Sequence, residues 1–127
     1  MATLTPKTIL LVSTLEDSRN ELRTNIESHG ARVVTARDGP EALEIAKQHR
    51  PDLVLLDVST RIHHDLLSAT DIRTDPELRH IPIVCVLADH ETDGKTPIAL
   101  ACDHVVRKSD LLQNVPGLIK KLTFLAD

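Results

Sequence analysis

The chain has 127 residues, 41% hydrophobic and 27% charged, a size that one compact domain accounts for without a disulfide or metal staple. Its 15 basic and 19 acidic residues leave a net charge of -4, which argues against nucleic-acid binding as the main activity. One Phe and no Tyr or Trp leave no stacking platform for bases, flavins or sugars, and no apolar run is long enough to span a membrane.

Met1 to Pro6 lacks the charged start and apolar stretch of a secretory signal. Ile9-Leu10-Leu11-Val12 is a continuous apolar run, as in a strand buried on both faces. Leu15, Leu22 and Ile26 then repeat along one helical face, and Gly30 is a natural stop. Arg32-Val33-Val34-Thr35 is the second strand. Asp38 caps the second helix, with Glu41 three residues on and Ala42, Ile45 and Ala46 on one face. Pro51 closes that connection, and Leu53-Val54-Leu55-Leu56 is the third strand. Leu66, Ala69 and Arg73 mark a third helix, ended by Asp75-Pro76. Ile81 to Leu87 is the fourth strand, with Pro82 at its start, where a strand tolerates it. Gly94 and Pro97 interrupt the fourth helix and leave only Pro97 to Cys102 of it, with Thr96 as cap. Val105-Val106 is a short fifth strand. Leu111 and Leu112 fall in a turn. Pro116 must lie in the first turn of the last helix, which therefore starts near Asn114 or Val115 and carries Leu118, Ile119 and Leu122.

Five strands alternating with five helices, the fourth weakened, predict a doubly wound α/β fold. The expected architecture is a flavodoxin-like parallel sheet in the order 2-1-3-4-5, one domain over 1–127 with its core in 7–122. Ligands of such sheets sit at the carboxyl ends of the central strands. That points to Ser13, Thr14, Asp57, Leu87 and Lys108.

Lys7 to Leu122 resembles the receiver domain of two-component response regulators. The resemblance rests on Arg50-Pro51-Asp52-Leu53-Val54-Leu55-Leu56-Asp57-Val58, on the Val33 to Leu43 segment, and on Ile81-Pro82-Ile83-Val84. It makes Asp57 the phosphoacceptor and Lys108 the lysine that follows the fifth strand. It also exposes departures. The acidic pair that helps receivers hold Mg²⁺ reads Ser13-Thr14. The hydroxyl residue ending the fourth strand is Leu87, the aromatic of the fifth strand is Val105, and Ser109 stands where a cis-proline usually follows the lysine. Ser59 to His64 replaces the loop after the phosphoacceptor.

Phosphoryl transfer to a carboxylate depends on positioning and on neutralising charge, which Mg²⁺ supplies through carboxylate and water oxygens. With Asp57 the one retained ligand, the expectation is no high-affinity metal site, weak Mg²⁺ at most, and no other cofactor. Glu16 and Asp17 are near enough in sequence to compensate from the loop. Asp57 and Lys108 have two readings: a phosphorylation site, or a relict ion pair joining two loops. His63-His64 reads as a solvated loop, Cys85 as core packing and Cys102 as an inert thiol; two isolated cysteines suit a reducing, cytoplasmic setting.

The functional expectation is an atypical receiver that is no enzyme and works by protein contact, with a histidine kinase or a downstream effector as partner and neither nucleic acid nor membrane. The alternatives are a conventional receiver phosphorylated on Asp57 by a partner histidine kinase, and a phosphate-binding loop at Ser13 to Ser18. The last is weakened by Glu16, Asp17 and the lack of glycine.

Overall fold

The runs at Ile9, Leu53 and Ile81 are too short for a buried helix and too apolar to leave either face in water, so they are stable only as inner strands, while the shorter Arg32 and Val105 runs suit the edges of a sheet. The computed structural model describes residues 7–58, 71–88 and 102–124. The runs become β1 (Thr8–Ser13), β2 (Arg32–Ala36), β3 (Leu53–Asp57), β4 (Ile83–Leu87) and β5 (His104–Arg107). All neighbours pair in parallel, in the order β2-β1-β3-β4-β5. The fold is therefore the flavodoxin-like, doubly wound one expected.

The helices are α1 (Glu16–Glu27), α2 (Gly39–His49), α3 (Lys108–Gln113) and α4 (Val115–Phe124). A helical stretch at 71–74 is the end of the expected third helix, and it buries Ile72. Leu66 and Ala69, and the weakened fourth helix with Gly94 and Pro97, lie outside the described residues.

Local chemistry explains the helix ends. Asp38 accepts from the Glu41 N–H at 2.9 Å, while Glu41 reaches back to the Arg37 N–H at 3.2 Å. Gly30 leaves α1 with φ 96, a conformation that costs glycine nothing. Arg50 takes the left-handed position after α2, ahead of Pro51. Two expectations need correction. Leu15 is not on the buried face of α1; it precedes the helix and is 46% exposed, so Leu22 and Ile26 alone anchor that face. Leu111 and Leu112 are not in a turn but in α3. The chain breaks only at Asn114, whose side chain accepts from the Gly117 N–H and so starts α4 with Pro116 in its first turn.

Strand side chains alternate, so the sheet has two apolar faces. Ile9, Leu11, Leu53, Leu55, Val84 and Val86 pack under α1, α3 and α4 with Leu22, Ile26, Leu111, Val115 and Ile119. Leu10, Val12, Val54, Leu56 and Ile83 pack on the other face with Ala42 and Ala46 of α2 and with Ile72, Leu78 and Ile81.

At the amino end of the sheet, two aspartates extend the ladder. Asp52 donates its N–H to the Thr8 carbonyl at 2.7 Å and accepts the Thr8 N–H on Oδ2 at 2.9 Å. Asp103 does the same with Ile83, at 2.8 and 2.7 Å, and its other oxygen takes Arg73 Nη2 at 2.5 Å. These bonds fix where β1 and β4 begin relative to β3 and β5.

Candidate functional site

β1 and β3 are neighbours, and their register sets Ser13 opposite Asp57 at the carboxyl end. Ser13 has the parity of Ile9 and Leu11, and Asp57 that of Leu53 and Leu55. Both therefore belong to the face that α1 covers. Among the described residues they are the buried polar ones, each at 0% exposure.

A carboxylate taken fully out of water needs donors. Asp57 Oδ2 accepts Ser13 Oγ–H at 2.7 Å and Ser18 Oγ–H at 2.5 Å, distances typical of hydroxyls on an ionised carboxylate. Only Thr14 and Leu15 separate β1 from α1. That short link swings the first turn of α1 across the end of β3 and brings Ser18 to Asp57. Arg19, one residue on, donates Nη1–H to the Ser13 carbonyl at 3.0 Å and ties the same turn to β1.

Lys108 enters from the other side, as the first residue of α3 after β5. Its ammonium donates to Ser18 Oγ at 3.1 Å and pairs with Glu21 Oε1 at 2.6 Å. Ser18 and Glu21, three apart, share one face of α1. The expected direct Asp57–Lys108 pair gives way to a chain of contacts: Asp57, Ser18, Lys108, Glu21. The hydroxyl occupies the space between carboxylate and ammonium, and Glu21 offers Lys108 a full counter-charge within reach.

The other candidates fall around this chain. Thr14 is half-buried in the β1–α1 link. Glu16 and Asp17 are exposed on the first turn of α1. With Leu15, Ser18, Glu21 and Lys108 they line an open cleft of about 620 Å³. Leu87 packs with Val58 and Cys85 in a cluster of its own, and Cys102 lies half-buried against it. The side chains that donate to Asp57 Oδ2 are thus hydroxyls from β1 and α1, while Val86 of β4 stands opposite Asp57 in the sheet register. Val105 is 37% exposed on β5. His63 and His64 lie outside the described residues.

Sequence reasoning missed Glu21, Arg19 and the part played by Ser18. The available signal was the spacing of Ser18 and Glu21 on a helix that starts beside the site. Lys108 is 90 residues from Ser18 in the chain, so nothing local pairs them.

Residues 9–113 match the response regulator receiver domain family. The chain belongs to that family. Among similar receivers, the polar-differentiation response regulator DivK of Brucella anthropi is 37% identical over 83 residues, covering 65% of this chain and 68% of that one. The receiver domain of sensor histidine kinase PA1611 from Pseudomonas aeruginosa PAO1, solved with a magnesium ion in its active-site cleft, superposes with TM-score 0.81 at 20% identity. The match covers 94% of this chain and 98% of that one. The phosphorylated cyanobacterial phytochrome response regulator RcpA gives TM-score 0.73 at 26% identity over 93% and 94% of the two chains. No helix among the described residues of this receiver is long and apolar enough to cross a membrane.

Proposed function

We propose that this receiver signals by contact with protein partners, a histidine kinase or a downstream effector in the cytoplasm, and that Mg²⁺-dependent phosphorylation of Asp57 is impaired. The observation that carries this reading is that two neutral hydroxyls stand on Asp57 Oδ2, from positions where the resemblance puts one acid and none. Both hydroxyls spend their protons on the carboxylate, and Lys108 adds positive charge behind Ser18. Mg²⁺ needs hard, negative oxygens in an octahedral shell. One carboxylate, two protonated hydroxyls and an ammonium do not fit that ion. Loss of even an outer-shell partner costs about 10–100-fold in metal affinity, and loss of direct ligands costs at least as much. An attack by Oδ2 on a phosphoryl group would also have to shed two hydrogen bonds.

The second reading is a conventional receiver phosphorylated on Asp57 by a partner histidine kinase. It is favoured by Asp57 at the end of β3, by Lys108 one hydroxyl away, and by the relation to DivK. Phosphoaspartate formation from acetyl phosphate with Mg²⁺ separates the two. The wild-type chain should take up phosphoryl slowly, and Ser13→Glu with Thr14→Asp should speed it by about tenfold or more. Equal rates in the two chains would overturn the proposal in favour of the conventional receiver.

A further inference from the structure

We propose that Glu21 and Ser18 are positioning residues of the Asp57 site, holding the Lys108 ammonium on α1 at one hydroxyl's distance from the carboxylate. The inference goes beyond the reading above and concerns the same Asp57 site. It does not depend on how fast Asp57 is phosphorylated.

The direction of every bond in the chain is determined by proton counting. An ionised carboxylate has no proton to give, so Ser18 must donate its single proton to Asp57. Toward Lys108 the same oxygen can then only accept, which suits an ammonium that has three donors and no acceptor. A second ammonium proton goes to Glu21. Lys108 therefore polarises the Ser18 hydroxyl toward Asp57, and the carboxylate meets the cation's charge through that bond.

Glu21 supplies the other half of the restraint. Its side chain is 57% exposed and that of Lys108 is 21% exposed, so their pair closes at the mouth of the cleft with water at hand. Exposed pairs are weak and exchange readily. The arrangement is thus a restraint that a nearby, less screened anion can outcompete. Removing the Glu21 charge frees the ammonium to turn toward Asp57, one hydroxyl away, against the competition of the exposed Glu16 and Asp17 on the same cleft. Removing the Ser18 hydroxyl deletes the spacer that separates them.

The test is a mutant cycle read by the side-chain carboxyl carbon of Asp57 in the isotope-labelled full chain at neutral pH. Lys108→Met is introduced into the wild type, Glu21→Gln, Ser18→Ala and Ser18→Thr. Its effect on the Asp57 resonance should be about twice as large or more in Glu21→Gln as in the wild type, because there the ammonium has turned to Asp57. Ser18→Ala should enlarge the effect too, and Ser18→Thr, which keeps the hydroxyl, should restore the wild-type response. Equal effects in wild type and Glu21→Gln would overturn the proposal. Glu21 is exposed and its substitution spares the core, so this arm decides even where Ser18→Ala unfolds the chain. No phosphoryl group is involved. Rapid phosphorylation by acetyl phosphate would therefore sink the proposed function and leave this result standing.

Discussion

The two ends of the sheet use aspartate in opposite ways. At the amino end, Asp52 and Asp103 each bond backbone to backbone and side chain to backbone with the strand next door, so their carboxylates act as extra rungs of the ladder. Both residues are exposed. At the carboxyl end, Asp57 is wholly buried, and its Oδ2 is held by side chains that arrive from β1 and α1. Rungs made with the backbone have one geometry. Contacts made with serine, lysine and glutamate side chains can be rearranged by rotation about a few bonds. The sheet thus has an end that sets register and an end whose contacts can change.

The largest effect should come from stripping the buried carboxylate. Ser13→Ala with Ser18→Ala removes both hydroxyl donors, and bonds to charged groups are worth about 1.5–3 kcal/mol each, so stability at neutral pH should fall by about 3–6 kcal/mol. Urea unfolding measures this. In an Asp57→Asn background the same pair of substitutions should cost less than half as much. An undiminished cost would mean that the hydroxyls stabilise something other than the charge.

Next in size is the amino end itself. Asp103→Ala loses the Ile83 N–H bond and the Arg73 contact and should cost about 1–3 kcal/mol. Asp103→Asn keeps an acceptor for Ile83 and should recover more than half of the loss. Faster amide exchange at Ile83 in the alanine variant, with Asp57's surroundings unchanged, would show that the two ends are energetically separate. Asp52→Ala, which loses one exposed bond to Thr8, should cost about 0.5–1.5 kcal/mol.

The smallest effect on stability belongs to Glu21→Gln. The Lys108–Glu21 pair is largely exposed on the Glu21 side, and such pairs contribute about 0–1 kcal/mol. A midpoint shift larger than that would make Glu21 a structural brace like Asp103, and the contrast between the two ends would weaken.

Much of the frame was legible in the residues. The apolar runs located all five strands to within a residue or two, the three inner ones most plainly, because a doubly covered parallel strand has no polar face to disguise it. Pro82 marked the start of β4 well: it lacks an N–H, so the strand begins at Ile83 while the Pro82 carbonyl still accepts from Val54. The Asp38–Glu41 cap was legible because its partners are three residues apart. Leu15 misled because helical spacing alone does not say where a helix starts. Leu111 and Leu112 misled because Pro116 marks the start of one helix without forbidding another just before it.

What the sequence determined by itself is what short-range physics controls: element type from the period of apolar residues, the order of a parallel sheet from the alternation of elements, and Asp57 at the end of β3. What only the tertiary structure decided is which side chains meet there. Asp57 and Lys108 are both visible as strand-end residues, and opposite charges suggest a pair. Yet Ser18, 39 residues from Asp57 and 90 from Lys108, lies between them. Its place follows from the two-residue link between β1 and α1, from the Ser13–Asp57 register and from the face of α1 that Leu22 and Ile26 bury. Each of those is a packing outcome of the whole sheet. A charge takes whichever partner the packing leaves within about 3 Å, and for Lys108 that is a hydroxyl and Glu21.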